Sequence, residues 1–272
     1  MSFPLRGGPI TTLLVAYDGS AYHGWQLQPN AATIQGELEG VLGRLHDAPR
    51  ESVALVGSAR TDAGVHAIGQ VAAYHPPNHR EPDRLRQGLN ALLPEAIRVR
   101  AVATMSAPFH PCRSASGKIY RYRIVNREVV LPFEVRWAWQ LWGHLEFEAM
   151  KEAAAGLVGT KDFAAVTNAG GQMLSTVRTM RRVELRRDPS GIVEIEFEAD
   201  GFLYKMVRNL VGCLAEVGLG RRRAEDLPEL LASGDRRRAG VAAPAQGLCL
   251  MRTLFPKGHG PAWGEDDHPV VF

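Results

Sequence analysis

Ile192-Val193-Glu194-Ile195-Glu196-Phe197-Glu198-Ala199 reads as a strand that is wet on one face and buried on the other. Glu194, Glu196 and Glu198 alternate with Ile195, Phe197 and Ala199, and side chains change sides at every residue of a strand. Just before it, Asp188-Pro189-Ser190-Gly191 has turn chemistry, and Val177 to Arg187 supplies the other arm of a hairpin. Working outward, a helix is predicted from Leu203 to Val217 and another from about Glu146 to Leu157. Tyr120-Arg121-Tyr122-Arg123-Ile124-Val125 alternates as a strand, and a further strand falls near Leu248 to Leu254. The order is strand–helix–strand–strand–helix–strand, the split βαβ arrangement of ferredoxin-like domains.

The first part of the chain repeats that order. Thr11 to Tyr17 is a strand, and Ile34, Leu38, Val41, Leu42 and Leu45 share one face of a helix with Thr33 as N-cap. Strands are predicted at Ser52 to Ser58 and Gln70 to His75, joined by a Gly-containing loop. A short helix carries Leu85, Leu89 and Leu92 and stops before Pro94, and Ile97 to Val102 closes the set. The expectation is an α+β fold of two ferredoxin-like, RRM-like βαββαβ halves with mainly antiparallel sheets. The cleft between two such halves is the default place for a site. The boundary is placed near Met105 to Ser114, giving halves 1–105 and 106–256, with an irregular tail over 257–272.

Composition narrows the function. With 272 residues, 45% of them hydrophobic, and a mean hydropathy of −0.15, the chain has enough apolar material for a substantial core. The formal charge of +3 permits a polyanionic partner without requiring one, and only five of the 32 basic residues are Lys. Cys112, Cys213 and Cys249 form no C-x-x-C pair, which argues against a disulfide framework or a zinc knuckle. Met1 to Pro9 lacks the layout of a signal peptide, and no apolar run reaches the ~18 residues of a membrane span. A soluble, cytoplasmic protein with no membrane association is expected. Phosphate-loop, dinucleotide, metalloprotease and serine-hydrolase signatures are all missing.

Three clusters could carry chemistry. Gly57-Ser58-Ala59-Arg60-Thr61-Asp62-Ala63-Gly64-Val65-His66-Ala67 runs from an apolar strand into Arg, Thr, Asp and Gly. Asp62 then sits at a strand end, where a ligand can approach closely. On residue type alone, a plain turn at Asp62 and a surface role for Arg60 are the commoner readings. In Gly201-Phe202-Leu203-Tyr204-Lys205-Met206-Val207-Arg208-Asn209, the helix puts Tyr204, Arg208, Gly212 and Ala215 beside the apolar stripe. Small residues after Arg208 let a neighbouring backbone come close, and an enclosed Arg needs an anion. Glu216 is the ordinary candidate and Asp62 the sharper one. Lys118, Arg121, Arg123 and Arg127 interleave with Tyr120 and Tyr122, which suits either an amphipathic strand or phosphate contact with base stacking. Arg181-Arg182, Arg186-Arg187, Arg221 to Arg223 and Arg236 to Arg238 are most simply solvated faces.

Taken together, these segments resemble the tRNA pseudouridine synthase A family over nearly the whole chain. Tyr17-Asp18-Gly19 with Gly24-Trp25-Gln26 is similar to its N-terminal block and Arg60 to Ala67 to its active-site block. Lys118 to Ile124 resembles the central strand, Phe202 to Gly212 the Arg-bearing helix, and Ala243 to Leu250 the closing segment. The resemblance implies the pseudouridine synthase fold, with Asp62 as catalytic nucleophile and Arg208 as its salt-bridge partner. Tyr120 would stack on the target base, Arg60 would help flip the nucleotide, and Leu248 would line the base pocket. It further implies a homodimer without metal or cofactor, acting at tRNA positions 38, 39 and 40 in the anticodon stem-loop. The chain departs from the family pattern at Pro111-Cys112-Arg113, where relatives commonly show Ala-Arg-Phe.

The chemistry agrees with the missing motifs. Isomerisation breaks the N1–C1′ bond, turns the uracil and joins C5 to C1′, with no redox partner or phosphate donor. A carboxylate serves by adding to the base or by assisting cleavage at the ribose, and the base must first leave its stack. A non-catalytic RNA-binding protein with two RRM-like halves explains the tyrosines and arginines but leaves Asp62 without a purpose. A glycoside hydrolase wants a second carboxylate, and none stands near Asp62 in sequence.

Overall fold

The computed structural model of the chain describes residues 8–105, 108–170 and 174–263. In chain order the strands and helices are β1 (Ile10–Tyr17), α1 (Ile34–His46), β2 (Val56–Gly57), β3 (His66–Tyr74), α2 (Pro82–Leu92) and β4 (Ile97–Met105). They continue with β5 (Gly117–Val125), β6 (Trp139–Gln140), α3 (Phe147–Ala155), β7 (Gly159–Asp162), β8 (Val177–Arg187) and β9 (Ile192–Ala199). Then come α4 (Met206–Gly218), α5 (Asp226–Ser233) and β10 (Leu248–Leu254). The fold is α+β with mainly antiparallel pairing. Two compact units emerge, Met1–Ser116 with Leu250–Phe272, and Gly117–Cys249.

In the first unit the strand order is β4-β1-β3-β10, with β2 added on β3. β1 runs antiparallel to both β3 and β4, from Thr11 opposite Tyr74 and Ile10 opposite Met105. Ile34, Leu38, Val41 and Leu42 bury the inner face of α1, and the Thr33 hydroxyl accepts from Gly36 N at 3.2 Å as its cap. α2 starts with Pro82 in its first turn, where the Glu81 carboxylate accepts from Asp83 N and Arg84 N. In the second unit the order is β5-β9-β8-β7, all antiparallel, with the short β6 parallel on β5. Tyr120, Tyr122 and Ile124 of β5 point to the buried side, as do Val193, Ile195, Phe197 and Ala199 of β9. The hairpin of β8 and β9 has the limits that its glutamate alternation predicts.

Several expectations need correction. Ser52 to Ser58 is not a strand: residues 50–53 form a 3-10 turn and only Val56–Gly57 pairs. Leu55 has its backbone polar groups served by side chains, since Leu55 N donates to Glu39 Oε1 at 2.9 Å and Leu55 O accepts from Gln35 Nε2 at 3.1 Å. Leu92 is exposed while Leu85, Leu89 and Leu93 are buried. α4 begins at Met206 rather than Leu203, because Lys205 is in the left-handed region at φ 58°. The Tyr204 carbonyl instead accepts from Asn168 N at 3.1 Å. Tyr204 is therefore exposed and off the helix face assigned to it.

The halves also divide differently from 1–105 and 106–256. The second unit starts at Gly117, and from Leu250 the chain belongs with the first, because β10 adds to the edge of β3. Within the tail 257–272, residues 264–272 lie outside the described residues, but Trp263 packs with Met105 and Phe255 against Ile10, Leu14 and Phe109. Finally, the arginine runs are not simply solvated. Arg182 pairs with Glu196 and Arg222 with Glu216, and Arg236 donates to Asn168, Asn209 and the Gly240 carbonyl.

Cys112 is exposed, and Cys213 and Cys249 are buried. Cys112 lies in a turn where His110 Nδ1 accepts from both Cys112 N and Arg113 N at 3.2 Å. Among the described residues no helix is long and apolar enough to cross a membrane.

Candidate active site

Asp62 stands in the loop between β2 and β3, half-buried, with Arg60 exposed beside it. The loop is tied at Thr61, Asp62 and Gly64. Thr61 O accepts from Trp25 N at 3.1 Å, and the Thr61 hydroxyl lies 2.8 Å from the Tyr17 hydroxyl. Asp62 O accepts from Val65 N at 3.1 Å, and Gly64 N donates to Tyr22 O at 3.3 Å. Tyr17 at the end of β1 and the segment between β1 and α1 supply the bracing from outside the loop, and that segment passes so close that one residue has no room for a side chain. Gly24 takes φ 89°, and a Cβ on it would sit 2.5 Å from Thr61 O. Only glycine meets both demands at low cost. Beyond the loop, His66 is 1% exposed, with Nδ1 accepting from Gly19 N at 3.1 Å and lying 3.2 Å from Asp18 Oδ1.

The other predicted residues lie in the second unit. Arg208 is in the first turn of α4, and its Nε donates to Ala243 O at 2.8 Å while Ala243 N donates to Arg208 O at 2.9 Å. One turn later, a Cβ on Gly212 would collide with Val241 O. The absence of a side chain there lets residues 241–243 lie along the helix and hold the guanidinium. This is the close backbone approach expected from the small residues after Arg208. Glu216, the ordinary candidate for its partner, accepts instead from Arg222 at 2.9 Å.

Tyr122 adds a contact that sequence reading did not single out. Its hydroxyl donates to Pro244 O at 2.8 Å. Burial pushes its phenol pKa well above the ordinary range, with the positive charge of Arg208 opposing the shift. Tyr120, two residues earlier on the same face of β5, is 7% exposed and meets Phe202 edge-on with ring centroids 5.0 Å apart. Leu248 is buried at the start of β10. On the opposite face of β5, Arg121 and Arg123 reach Glu196 and Glu194 of β9 at 3.2 and 2.8 Å. Their charges are thus compensated within the sheet, which favours the amphipathic-strand reading of this segment.

Arg60 and Asp62 therefore share one braced loop of the first unit. Arg208, Tyr120 and Leu248 belong to the second. The Tyr17, Gly24 and Trp25 contributions were visible only as an N-terminal block without assigned roles. Among the described residues, no group of three or more His, Cys, Asp or Glu side chains is placed to hold a metal ion. The first unit thus presents a half-buried carboxylate on a braced loop, and in the second a guanidinium is fixed by main-chain carbonyl contact.

Comparison with known proteins identifies the family. The family described as tRNA pseudouridine synthase matches residues 13–111 and 153–256. tRNA pseudouridine synthase A 1 of Protochlamydia amoebophila is 41% identical over 251 residues, covering 91% of this chain and 97% of its own. tRNA pseudouridine synthase A of Myxococcus xanthus is 43% identical over 250 residues, covering 92% and 93%. Among solved structures, a chain of a Cbf5–Nop10–Gar1 complex is similar at 10% identity and a TM-score of 0.38, over 88% of this chain and 48% of that one. The sequence matches take in the Asp62 loop, the Arg208 helix and the closing segment alike, and the chain belongs to the tRNA pseudouridine synthases, isomerases that convert uridine in tRNA to pseudouridine.

Proposed function

We propose that this enzyme isomerises uridines at positions 38, 39 and 40 of the tRNA anticodon stem-loop, with Asp62 as nucleophile. The observation that carries the reading is the loop itself. Asp62 is half-buried on backbone anchored at Thr61, Asp62 and Gly64. A reacting group held so is worth far more than one on a mobile surface turn. Arg208 supplies a counter-charge for the reaction, Tyr120 stacks on the everted uracil, and Leu248 lines its pocket. Arg60, exposed two residues before Asp62, assists in turning the nucleotide out of the stem. The carboxylate adds to the base or assists cleavage at the ribose. The N1–C1′ bond breaks, the uracil turns and C5 joins C1′. C5 then gives up its proton, N1 takes one up, and any bond to the carboxylate is released, so the product is an isomer of the substrate. No cofactor enters this scheme.

The active form is a homodimer in this reading. Val129, Leu131, Phe133 and Val135, between β5 and β6, are exposed apolar side chains of the kind that association covers.

Mapping pseudouridine in unmodified tRNA transcripts, with no cofactor added, tests the reading. Wild type should form it at the three positions. Asp62→Asn should bind the same tRNA and form none. Turnover by that variant would remove Asp62 from its role. Binding by wild type without modification would instead favour an RNA-binding protein with two RRM-like halves.

A further inference from the structure

We propose that Gln70 is a positioning residue for the Asp62 loop, its carboxamide replacing the strand partner that the chain loses at Ala59. This rests on the reading of Asp62 as the nucleophile. β2 pairs with β3 at Val56 and Gly57, and Ser58 N still donates to Val71 O at 2.7 Å. At the next residue a side chain takes over from the ladder. Ala59 N donates to Gln70 Oε1 at 3.2 Å, and Ala59 O accepts from Gln70 Nε2 at 2.7 Å.

A carboxamide offers a donor and an acceptor side by side, so gripping both polar groups of one residue fixes its orientation as well as its position. Gln70 is fully buried in β3, where an amide is costly unless its polar atoms are used. Here its oxygen also accepts from Ser58 Oγ at 2.8 Å, and Ser58 Oγ lies 2.7 Å from Thr253 Oγ1 of β10. The chain then passes through Arg60 and Thr61, whose hydroxyl and carbonyl are already held, to Asp62. The pitch at which the loop leaves the sheet is set at Ala59. Gln70 sets it.

The two parts of the network meet at Gln70 Oε1, but the contacts to Ala59 can be kept while the Ser58 bonds are removed. Gln70→Leu removes the grip on Ala59, and Gln70→Glu, assayed at a pH that keeps it ionised, keeps the acceptor for Ala59 N but has no donor for Ala59 O. Ser58→Ala removes the Ser58 Oγ bonds to Gln70 and Thr253 and leaves both Gln70 contacts to Ala59 in place. Each variant is assayed for melting temperature, tRNA affinity and single-turnover pseudouridine formation at saturating enzyme, beside Asp62→Asn.

Both Gln70 variants should lose about 10- to 100-fold in the single-turnover rate, the size expected for an ångström-scale misplacement, while tRNA affinity stays at the wild-type value. Ser58→Ala should lower the melting temperature and leave the rate unchanged. If Gln70→Leu does not fold, Gln70→Glu decides. A wild-type rate in a folded Gln70 variant overturns the proposal, as does a rate that follows melting temperature equally in all three. If Asp62→Asn is inactive while the Gln70 variants are unaffected, the positioning role alone falls. If Asp62→Asn turns over, the nucleophile and its positioning residue fall together.

Discussion

Removing the Tyr122 hydroxyl takes away one donor, and the geometry shows what that donor serves. It holds Pro244 O at 2.8 Å, one residue beyond the carbonyl that receives Arg208 Nε. Tyr122→Phe leaves that carbonyl without its partner beside a buried ring, and should cost about 1 kcal/mol of stability in urea unfolding. Its larger effect should fall on the chemical step, with tRNA affinity unchanged, because the segment that orients the guanidinium is loosened. At this scale the sequence was partly legible. The alternation of β5 put Tyr120 and Tyr122 together on one side, where both are found buried. It did not distinguish which of the two would spend its hydroxyl on the closing segment, because that partner lies far along the chain. Gln70 was opaque for the same reason: in sequence it is one polar residue in a strand, and its purpose appears only when Ala59 is beside it.

Secondary-structure elements that follow a local period were readable, and those settled by distant groups were not. The hairpin of β8 and β9 declared itself through its glutamates and a turn that closes with Gly191 N donating to Asp188 O at 3.1 Å. The Ser52 to Ser58 segment has strand-like residues, yet Gln35 and Glu39 of α1 occupy the Leu55 polar groups that a strand would need. The start of α4 was misplaced by the left-handed Lys205, for which apolar spacing gives no sign. The small-residue pattern along α4, by contrast, led correctly to a close-packed backbone. Gly212→Ala tests that contact. The added methyl meets the Val241 carbonyl, and overpacking of this kind should cost about 1–3 kcal/mol. Chemical unfolding measures that loss, and the single-turnover rate should fall with it as residues 241–243 are displaced from Arg208.

For the whole molecule, acid sensitivity has an identifiable source in the first unit. His46 is 1% exposed, with Nδ1 at 2.8 Å from Asn78 Oδ1 and Nε2 at 2.8 Å from the Tyr74 hydroxyl. Asn78 Oδ1 only accepts, so Nδ1 carries the proton and Nε2 takes the hydroxyl's. Burial lowers the pKa of His46 from its ordinary 6.5. The unfolded chain therefore binds a proton that the folded one refuses. The contribution is complete above the unfolded value and is lost as pH falls from it through the folded value. Melting temperatures measured from about pH 8 down to about pH 5 should fall on the acid side, and His46→Gln should flatten that fall while starting lower. The two-unit organisation was legible except at its seams, because β10 returns to β3 from the far end of the chain. The distribution of sulfur over this fold has a practical use. Burial holds the Cys213 thiol pKa up at about 11, Cys249 is likewise enclosed, and Cys112 sits in an open turn. A maleimide dye therefore has one native attachment point, giving a fluorescent derivative without mutagenesis, while the two shielded sulfhydryls become reagents for timing denaturation.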